Sequence, residues 1–309
     1  MRILITGAGG YIGAACVRAF AGRGWMVRAA SRGGVPAAPG VEIVRIDRLD
    51  GRTPWSEHLR GVDAVLHLAG VAHRPDTDAA TYREVNVEAT AHFAAEAVRA
   101  GVSRFVFISS IAVYGRAAAA GPLDETTPLA PIDAYGQSKV DAERAIARAT
   151  EGNAMTWVVV RPPLVYGPDA PGNFRRLVGL VRSGLPLPLS AALAPRSYVG
   201  LDNLVSALVR VATHPAAANQ CFVVSDGQDV GTAQLIRWIA EGMGRSPRLW
   251  WVPEAVLRLS AAATGLDGDA ARLLDPMRID SRRIRDTLGW NASMSLEEGV
   301  RRSVATVGT

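Results

Sequence analysis

The amino-acid sequence predicts an α/β fold in which a doubly wound parallel sheet is followed by a smaller, mostly helical C-terminal lobe. Short runs rich in Val, Ile, Leu and Phe alternate with amphipathic stretches through the first half of the chain, a pattern typical of βαβ units. A glycine-rich turn joins the first apolar run to the first amphipathic stretch. After about residue 166 the alternation gives way to Pro- and Gly-rich loops and helical segments.

The predicted elements follow in chain order. Apolar runs of five to seven residues are short enough to be buried strands, and they cover 2–6, 26–31, 41–46, 64–70, 104–110 and 157–162. Helical patterns lie between most of them, at 11–23, 79–100 and 134–150. A helix at 173–183, a strand end and helix at 197–213 and a strand at 221–225 come next, and residues 232–309 are mostly helical.

The composition is that of an ordinary globular protein, with 49% hydrophobic and 20% charged residues. No apolar run approaches the roughly 18 residues that span a bilayer, and no cleavable leader is evident, so we expect a cytoplasmic protein without membrane insertion. Two distant cysteines and five scattered histidines predict no metal site. The dispersed arginines behind the net charge of +5 argue against nucleic acid and favour anionic small molecules.

The turn TGAGGYIG after the first strand is typical of a dinucleotide-binding site. Gly7, Gly10 and Gly13 allow a tight turn, close approach of the backbone to a pyrophosphate and close helix packing. The first residues of the helix, Tyr11 and Ile12, then present a helix N-terminus that favours the anion. The turn therefore predicts a Rossmann-type domain, and the alternative is a glycine-rich turn without a ligand.

The end of the second strand bears on the choice of cofactor. NAD-binding folds of this kind place an acidic residue about 20 positions beyond the glycines, but no Asp or Glu precedes Glu42 here. Ser31 and Arg32 stand there instead, and a guanidinium suits a 2′-phosphate. NADP(H) is therefore favoured and NAD(H) is the alternative, although Arg32 could also be a solvated loop residue.

Two further strand ends offer cofactor contacts. Asp47, after the third strand, could bind the adenine amino group. The segment Leu68, Ala69 and Gly70 would let the backbone pass close to the cofactor. Either feature could equally be ordinary loop chemistry.

Lys139 is the only lysine among 34 basic residues, and it follows Tyr135 by four positions on a predicted helix. The two side chains therefore project from one face, where an ammonium would lower the pKa of the phenol. Ser110, at the end of the fifth strand, could orient a carbonyl or an alcohol beside them. Such a trio would move a proton while a nicotinamide moves a hydride, and the alternative is that the spacing arose by chance.

Taken together, TGAGGYIG, ISSIAVYG, YGQSK and RPPLVYGP resemble, in order and spacing, the extended short-chain dehydrogenase/reductases of the nucleotide-sugar epimerase/dehydratase family. The resemblance runs nearly end to end and implies an enzyme that acts on a UDP-sugar bound between two lobes. It assigns catalysis to Ser110, Tyr135 and Lys139, and cofactor contacts to Gly7, Gly10, Gly13, Asp47, Ala69, Asn86, Tyr135, Lys139 and Pro162.

The change of pattern along the chain predicts the domain organisation, and the resemblance implies the remaining contacts. Residues 1–165 with 196–227, which return to the sheet, would form the dinucleotide-binding domain, and 166–195 with 228–309 the nucleotide-sugar-binding lobe. A homodimer through the helices at 79–100 and 134–150 is implied. Substrate contacts are expected from Ser110, Ile111, Asn173, Leu187 and Arg196.

Departures from the sequence motifs of the family limit which of its reactions this chain is expected to catalyse. Dehydratases carry an Asp-Glu pair after the strand-end hydroxyl, whereas Ile111 and Ala112 follow Ser110 here, so dehydration is not expected. Many 4-epimerases have RxxN where this chain has RPPL, from Arg161 to Leu164. The leading hypothesis is NADPH-dependent reduction of the C4 keto group of a UDP-4-keto-(6-deoxy) hexose or N-acetylhexosamine in surface-polysaccharide precursor synthesis. The alternatives are a 4-epimerase of UDP-glucose or UDP-N-acetylglucosamine with tightly bound NAD, and a non-catalytic protein that senses NADP(H).

Overall fold

Ten strands form two sheets in a computed structural model that describes residues 1–35, 37–72, 77–115, 118 and 121–305. Seven strands pair in parallel in the order β3-β2-β1-β4-β5-β6-β9, and the other three form a small sheet in the order β10-β8-β7. The predicted doubly wound parallel sheet is confirmed. The strands are β1 (Arg2–Thr6), β2 (Met26–Ser31), β3 (Val41–Arg45), β4 (Ala64–His67), β5 (Arg104–Ile108), β6 (Thr156–Arg161), β7 (Leu164–Tyr166), β8 (Arg196–Gly200), β9 (Gln220–Val223) and β10 (Asp229–Val230).

Helices cover both faces of the large sheet and dominate the C-terminal part. They are α1 (Tyr11–Ala21), α2 (Ala79–Tyr82), α3 (Ala89–Arg99), α4 (Ala134–Thr150), α5 (Asn173–Ser183), α6 (Leu201–Thr213), α7 (Thr232–Gly242), α8 (Glu254–Ala263), α9 (Asp267–Leu274), α10 (Arg282–Leu288) and α11 (Leu296–Ala305). Short 3₁₀ turns lie at Ile111–Val113 and Pro215–Ala217.

The helix predicted at 79–100 is interrupted in the structure. A π-helical segment, Arg83–Glu88, separates α2 from α3. Such segments widen the helix locally and occur often at functional sites. Here the segment carries Asn86, which is buried.

Alternating side chains of each central strand pack into two hydrophobic cores, one on each face of the sheet. Ile3 and Ile5 of β1 pack with α1, α6 and α10, whereas Leu4 packs with α3 and α4 on the opposite face. Both faces of the sheet are therefore covered, which explains why its strands read as continuous apolar runs rather than alternating patterns.

The small sheet packs with α5, α7 and α11 around a separate core. Residues 196–200, expected to return to the large sheet, pair instead with β7 and β10 as β8. The edge position beside β6 is taken by β9. The division of the chain into two lobes stays a prediction.

The described residues contain neither a membrane-spanning helix nor a cluster of metal ligands. None of the helices there combines the length and apolar character that crossing a bilayer requires. No group of three or more His, Cys, Asp and Glu side chains there is arranged to hold a metal ion.

Candidate active site

The strand order places a crevice at the carboxyl ends of β1 and β4. From β1 the chain continues outward to β2 and β3 on one side, and it then returns to β4 on the other. The connections diverge at this point, so ligands of doubly wound sheets bind there. The segments directly after β1, β4 and β5 carry half of the residues that the sequence assigned to a site.

The β1–α1 turn is packed too tightly for side chains. Gly7 has φ +68°, and a Cβ there would lie 2.8 Å from the amide nitrogen of Ala69. A Cβ on Gly13 would lie 2.0 Å from the carbonyl oxygen of Gly7. The two glycines therefore bring the turn against the β4 loop and the helix against the turn, and the backbone remains accessible to a ligand.

The N-terminus of α1 lacks the usual cap. Gly10 is the N-cap residue, no side chain caps it, and the first turn carries no acidic residue. The amide groups of Tyr11, Ile12 and Gly13 are thus suited to an anion. The Tyr11 ring packs against the core beside the small sheet. Its hydroxyl is buried without a hydrogen-bond partner in the described part of the chain, and burial raises the pKa of that hydroxyl. These features fit a dinucleotide diphosphate.

The end of β2 differs from that of an NAD-binding site with a ribose-binding carboxylate. The Ser31 hydroxyl accepts a hydrogen bond from the amide of Gly33 at 3.2 Å, and Arg32 is exposed. The Glu42 carboxylate is 2.9 Å from the Arg28 guanidinium, so it already has a partner. Asp47 is almost fully exposed.

Thr6 connects the glycine turn to the β4 loop. Its hydroxyl oxygen accepts hydrogen bonds from the amides of Leu68 and Ala69, both at 3.2 Å. The two lone pairs are then used, so the hydroxyl proton is donated to Nδ1 of His67 at 2.7 Å. His67 is therefore protonated on Nε2, which donates to the Thr90 hydroxyl at 2.9 Å.

His67 acts here as a neutral positioning group. Burial lowers the pKa of His67 to about 3, and the nearby Lys139 charge contributes. Its ring is fully buried and stacks on Phe107. Through Thr6 it fixes the amides at the start of the segment predicted to contact the cofactor.

Asn86 joins the other end of that segment to α4. Its side-chain oxygen accepts from the Val71 amide at 2.8 Å, and its side-chain nitrogen donates to the Val71 carbonyl at 3.1 Å. The same nitrogen donates to the Ser138 hydroxyl at 3.0 Å. Gly70, just before Val71, is thereby placed close to the helix that carries Tyr135 and Lys139.

The structure brings Ser110 and Tyr135 together. Ser110 follows β5, and Tyr135 lies in the first turn of α4, which Asp133 caps. Burial raises the pKa of the Tyr135 phenol, and its hydrogen bond with Ser110 opposes that effect. The Tyr82 ring lies 5.8 Å from the Tyr135 ring. A half-buried hydroxyl pair thus stands at the carboxyl end of the central strands.

Lys139 is buried one turn further along α4. Its ammonium donates to the Ile108 carbonyl at 3.0 Å and lies 4.6 Å from the centre of the Phe107 ring. Burial lowers the pKa of Lys139 to about 8, and the Glu143 charge opposes this. The sequence predicted that the ammonium would lower the pKa of Tyr135. In the structure burial of the phenol raises that pKa instead, and the ammonium binds the Ile108 carbonyl at the end of β5.

A buried polar network, not recognised from the sequence, supports this helix. Glu143 binds Arg161 through two hydrogen bonds, at 3.0 Å and 2.5 Å. Arg161 also donates to the Tyr114 hydroxyl at 2.7 Å, and the Ser109 hydroxyl donates to Glu143 at 2.5 Å. The only signal in the sequence was the charged residue that ends an otherwise apolar β6. Pro162 follows it, and its carbonyl accepts from the amide of Ile111 at 3.0 Å.

The other residues assigned to the substrate lie in the C-terminal part. Asn173 is exposed at the start of α5, whereas Leu187 is buried in the core beside the small sheet. Arg196 donates to the Asp275 carbonyl, and burial lowers its pKa. Their assignments, like those of the other predicted site residues, stay predictions.

Comparisons with known proteins bear on the family and the fold. Residues 3–225 match the model of the NAD dependent epimerase/dehydratase family. A UDP-glucose 4-epimerase of Vibrio cholerae is 35% identical over 97% of this chain and 94% of its own. The structure of MoeE5 in complex with UDP-glucuronic acid and NAD is 26% identical, covers 98% of both chains and has a TM-score of 0.82.

A more distant structure shares the fold. The UDP-glucuronic acid 4-epimerase of Bacillus cereus, in complex with NAD, is 20% identical over 98% of this chain and 95% of its own, with a TM-score of 0.81. The resemblance read from the motifs is therefore confirmed. The chain belongs to the NAD dependent epimerase/dehydratase family.

Proposed function

We propose that this protein is a UDP-hexose 4-epimerase that acts by hydride transfer at C4 of the sugar. The observation that carries the proposal is the meeting of Ser110 and Tyr135 at the carboxyl end of β5, where the serine hydroxyl opposes the rise of the phenol pKa, one helical turn from Lys139. The 35% identity to a UDP-glucose 4-epimerase along nearly the whole chain supports this substrate class.

The residues have separate roles in this reaction. Tyr135 takes the proton of the C4 hydroxyl as the C4 hydride leaves, and it returns that proton when the hydride is added to the opposite face. Ser110 donates a hydrogen bond to the same oxygen and orients it. Lys139 holds positive charge behind both groups. A bound nicotinamide dinucleotide supplies the hydride acceptor and donor.

The glycine turn, the uncapped start of α1 and the Leu68–Gly70 segment would hold that dinucleotide. Solved relatives contain NAD. Ser31 and Arg32, in place of a carboxylate after β2, favour NADP(H), which fits the second candidate below better than an epimerase with tightly bound NAD. Analysis of the nucleotide released from denatured protein decides between the two cofactors.

The test of the epimerase uses UDP-glucose without added cofactor. Conversion to UDP-galactose, followed by chromatography, is expected for the wild type. The Tyr135→Phe variant should be slower by about 10² to 10⁴-fold with an unchanged melting temperature. Absence of any conversion of UDP-glucose and UDP-N-acetylglucosamine by protein that contains bound nucleotide would refute the proposal.

A second candidate is the NADPH-dependent C4 reductase of a UDP-4-keto sugar. It is favoured by the absence of an acid at the end of β2 and by RPPL in place of RxxN. With NADPH and UDP-4-keto-6-deoxy-N-acetylglucosamine, absorbance of the reduced cofactor should fall faster than in a heat-killed control. Equal rates would exclude this reaction.

We further propose the two-lobe division at 1–165 with 196–227 and at 166–195 with 228–309, and a homodimer. The dimer would bury the outer faces of α3 and α4, which pack side by side on one face of the sheet. Light scattering of the purified protein measures its mass. A monomeric mass at micromolar concentration would refute the dimer.

A further inference from the structure

Helix α8 has one apolar face that the described protein leaves uncovered. None of its residues is buried. Val256 and Leu259 are 52% and 72% exposed, and both lie on the same side of the helix as Ala263. Just before the helix, Trp250 and Trp251 are 53% and 67% exposed.

The same exposed surface extends to the end of α5. The segment after α5 pairs with the segment before α8: the Leu187 amide donates to the Arg248 carbonyl at 2.8 Å, and the Trp250 amide donates to the Leu187 carbonyl at 3.0 Å. Leu180 and Leu185 are also exposed there. We call Leu180, Leu185, Trp250, Trp251, Val256 and Leu259 the tryptophan surface.

Arginines on α5 and on the segment before α8 flank the tryptophan surface, and the exposed Glu254 that begins α8 is paired with Arg258. No Asp or Glu occurs at 170–201 or at 242–253. Within the described residues, no carboxylate forms an ion pair with any of the five exposed arginines of these segments. Two of them are fixed beside the surface by hydrogen bonds to the carbonyls of Arg182 and Gly184. The five are Arg175, Arg176, Arg182, Arg245 and Arg248.

We propose that the tryptophan surface adsorbs to an anionic phospholipid bilayer. Indole rings favour the boundary between headgroups and acyl chains, and guanidinium groups bind lipid phosphates. A short helix with an apolar outer face can lie flat in that boundary without spanning the bilayer, in keeping with the absence of a spanning helix in the described chain.

A second copy of this chain is a poorer occupant. A symmetric contact would bring the same five arginines of each copy towards one another, and like charges at close range oppose association. An anionic bilayer neutralises all five and covers the apolar side chains at the same time. The charge of the surface therefore favours lipid.

The test measures co-sedimentation of the full chain with vesicles of phosphatidylcholine, alone or mixed with an equal part of phosphatidylglycerol. Binding is expected only to the mixed vesicles, and it should weaken as salt is raised. The Arg175→Gln/Arg176→Gln/Arg182→Gln variant should bind about a hundredfold more weakly. Trp250→Ser/Trp251→Ser should also release the protein.

The matched control is Arg18→Gln/Arg23→Gln/Arg52→Gln, which lowers the net charge of +5 by the same three charges at exposed sites elsewhere. It should bind like the wild type, and equal losses in both triple variants would overturn the proposal.

Two other outcomes would also overturn the proposal. One is the absence of binding to mixed vesicles. The other is a dimer in lipid-free buffer that Trp250→Ser/Trp251→Ser dissociates, because the surface would then join two copies. If a variant fails to fold, brominated lipid gives an independent test on the wild type. Mixed vesicles that contain brominated lipid should quench the tryptophan fluorescence of the wild-type protein. Unchanged fluorescence would refute adsorption.

Discussion

Replacing Lys139 by methionine should stabilise the fold while it abolishes activity. Methionine keeps the length and apolar stem of the side chain but removes the buried ammonium. Burial lowers the pKa of Lys139 from its ordinary 10.5 to about 8. Burying the charged ammonium therefore destabilises the folded state by about 3 kcal/mol. The variant loses one hydrogen bond to the Ile108 carbonyl, worth about 1 kcal/mol. A net gain of about 2 kcal/mol is therefore expected at neutral pH.

The difference in stability between Lys139→Met and the wild type should depend on pH. Below about pH 8 both the folded and the unfolded chain bind the proton of Lys139, so the full penalty applies. Between about 8 and 10.5 the unfolded chain binds more protons, and the wild type gains stability as pH rises. The gap between variant and wild type should therefore shrink in that window.

Urea unfolding followed by circular dichroism, at pH about 7 and about 10, measures both effects. Lys139→Arg is the control, because it keeps a charge that cannot be neutralised and should show no gain. A Lys139→Met variant that is less stable than the wild type at neutral pH, or a gap that is the same at both pH values, would refute the reasoning.

Three further predictions concern packing, charge and protonation. Gly13→Ala places a Cβ 2.0 Å from the Gly7 carbonyl oxygen, so it should cost at least about 3 kcal/mol and weaken dinucleotide binding in calorimetry; Gly179→Ala, with open space around it, should be neutral or stabilising. Glu143→Gln should cost about 3 to 5 kcal/mol in urea unfolding because it leaves a buried arginine unpaired, and Glu143→Leu with Arg161→Met should recover most of that loss. Nitrogen NMR should find His67 neutral, with its single ring proton on Nε2, from about pH 5 to 8. A charged ring, protonated on both nitrogens, at pH 6 would contradict the hydrogen-bond assignment.

The large sheet was predictable because strands buried on both faces appear as continuous apolar runs. Strands β7 and β10, of three and two residues, were missed because they are too short to show a pattern. The π-helical segment at 83–88 was also missed, since π and α turns use the same residue types. The sequence also did not show that β9, and not β8, pairs with the edge of β6. Tertiary packing decides between the two strands.

The candidate site was partly predictable for a similar reason. Strand ends and one helix face bring Ser110, Tyr135 and Lys139 into one region whatever the details of packing. Their hydrogen bonds were not predictable, because the partner of the Lys139 ammonium is a backbone carbonyl, which has no signature in the sequence. The pairing of Glu143 with Arg161 joins a helix to a strand, and only the folded chain shows which charges meet.

Burial also changes what Tyr135 can do. It raises the pKa of the phenol and lowers the pKa of Lys139, so both groups favour their uncharged forms more than they would in water. A neutral phenol that shares a hydrogen bond with Ser110 is ready to donate a proton to a sugar oxygen, which is the step that a keto reductase requires. Removing that proton, which epimerisation requires at its first step, needs additional positive charge near the phenol, and an oxidised nicotinamide carries such a charge. If the phenol absorbance attributed to Tyr135 by comparison with Tyr135→Phe titrated at the same pH with oxidised and with reduced cofactor, the protein could not switch its tyrosine from acid to base, and the reductase would be the better proposal.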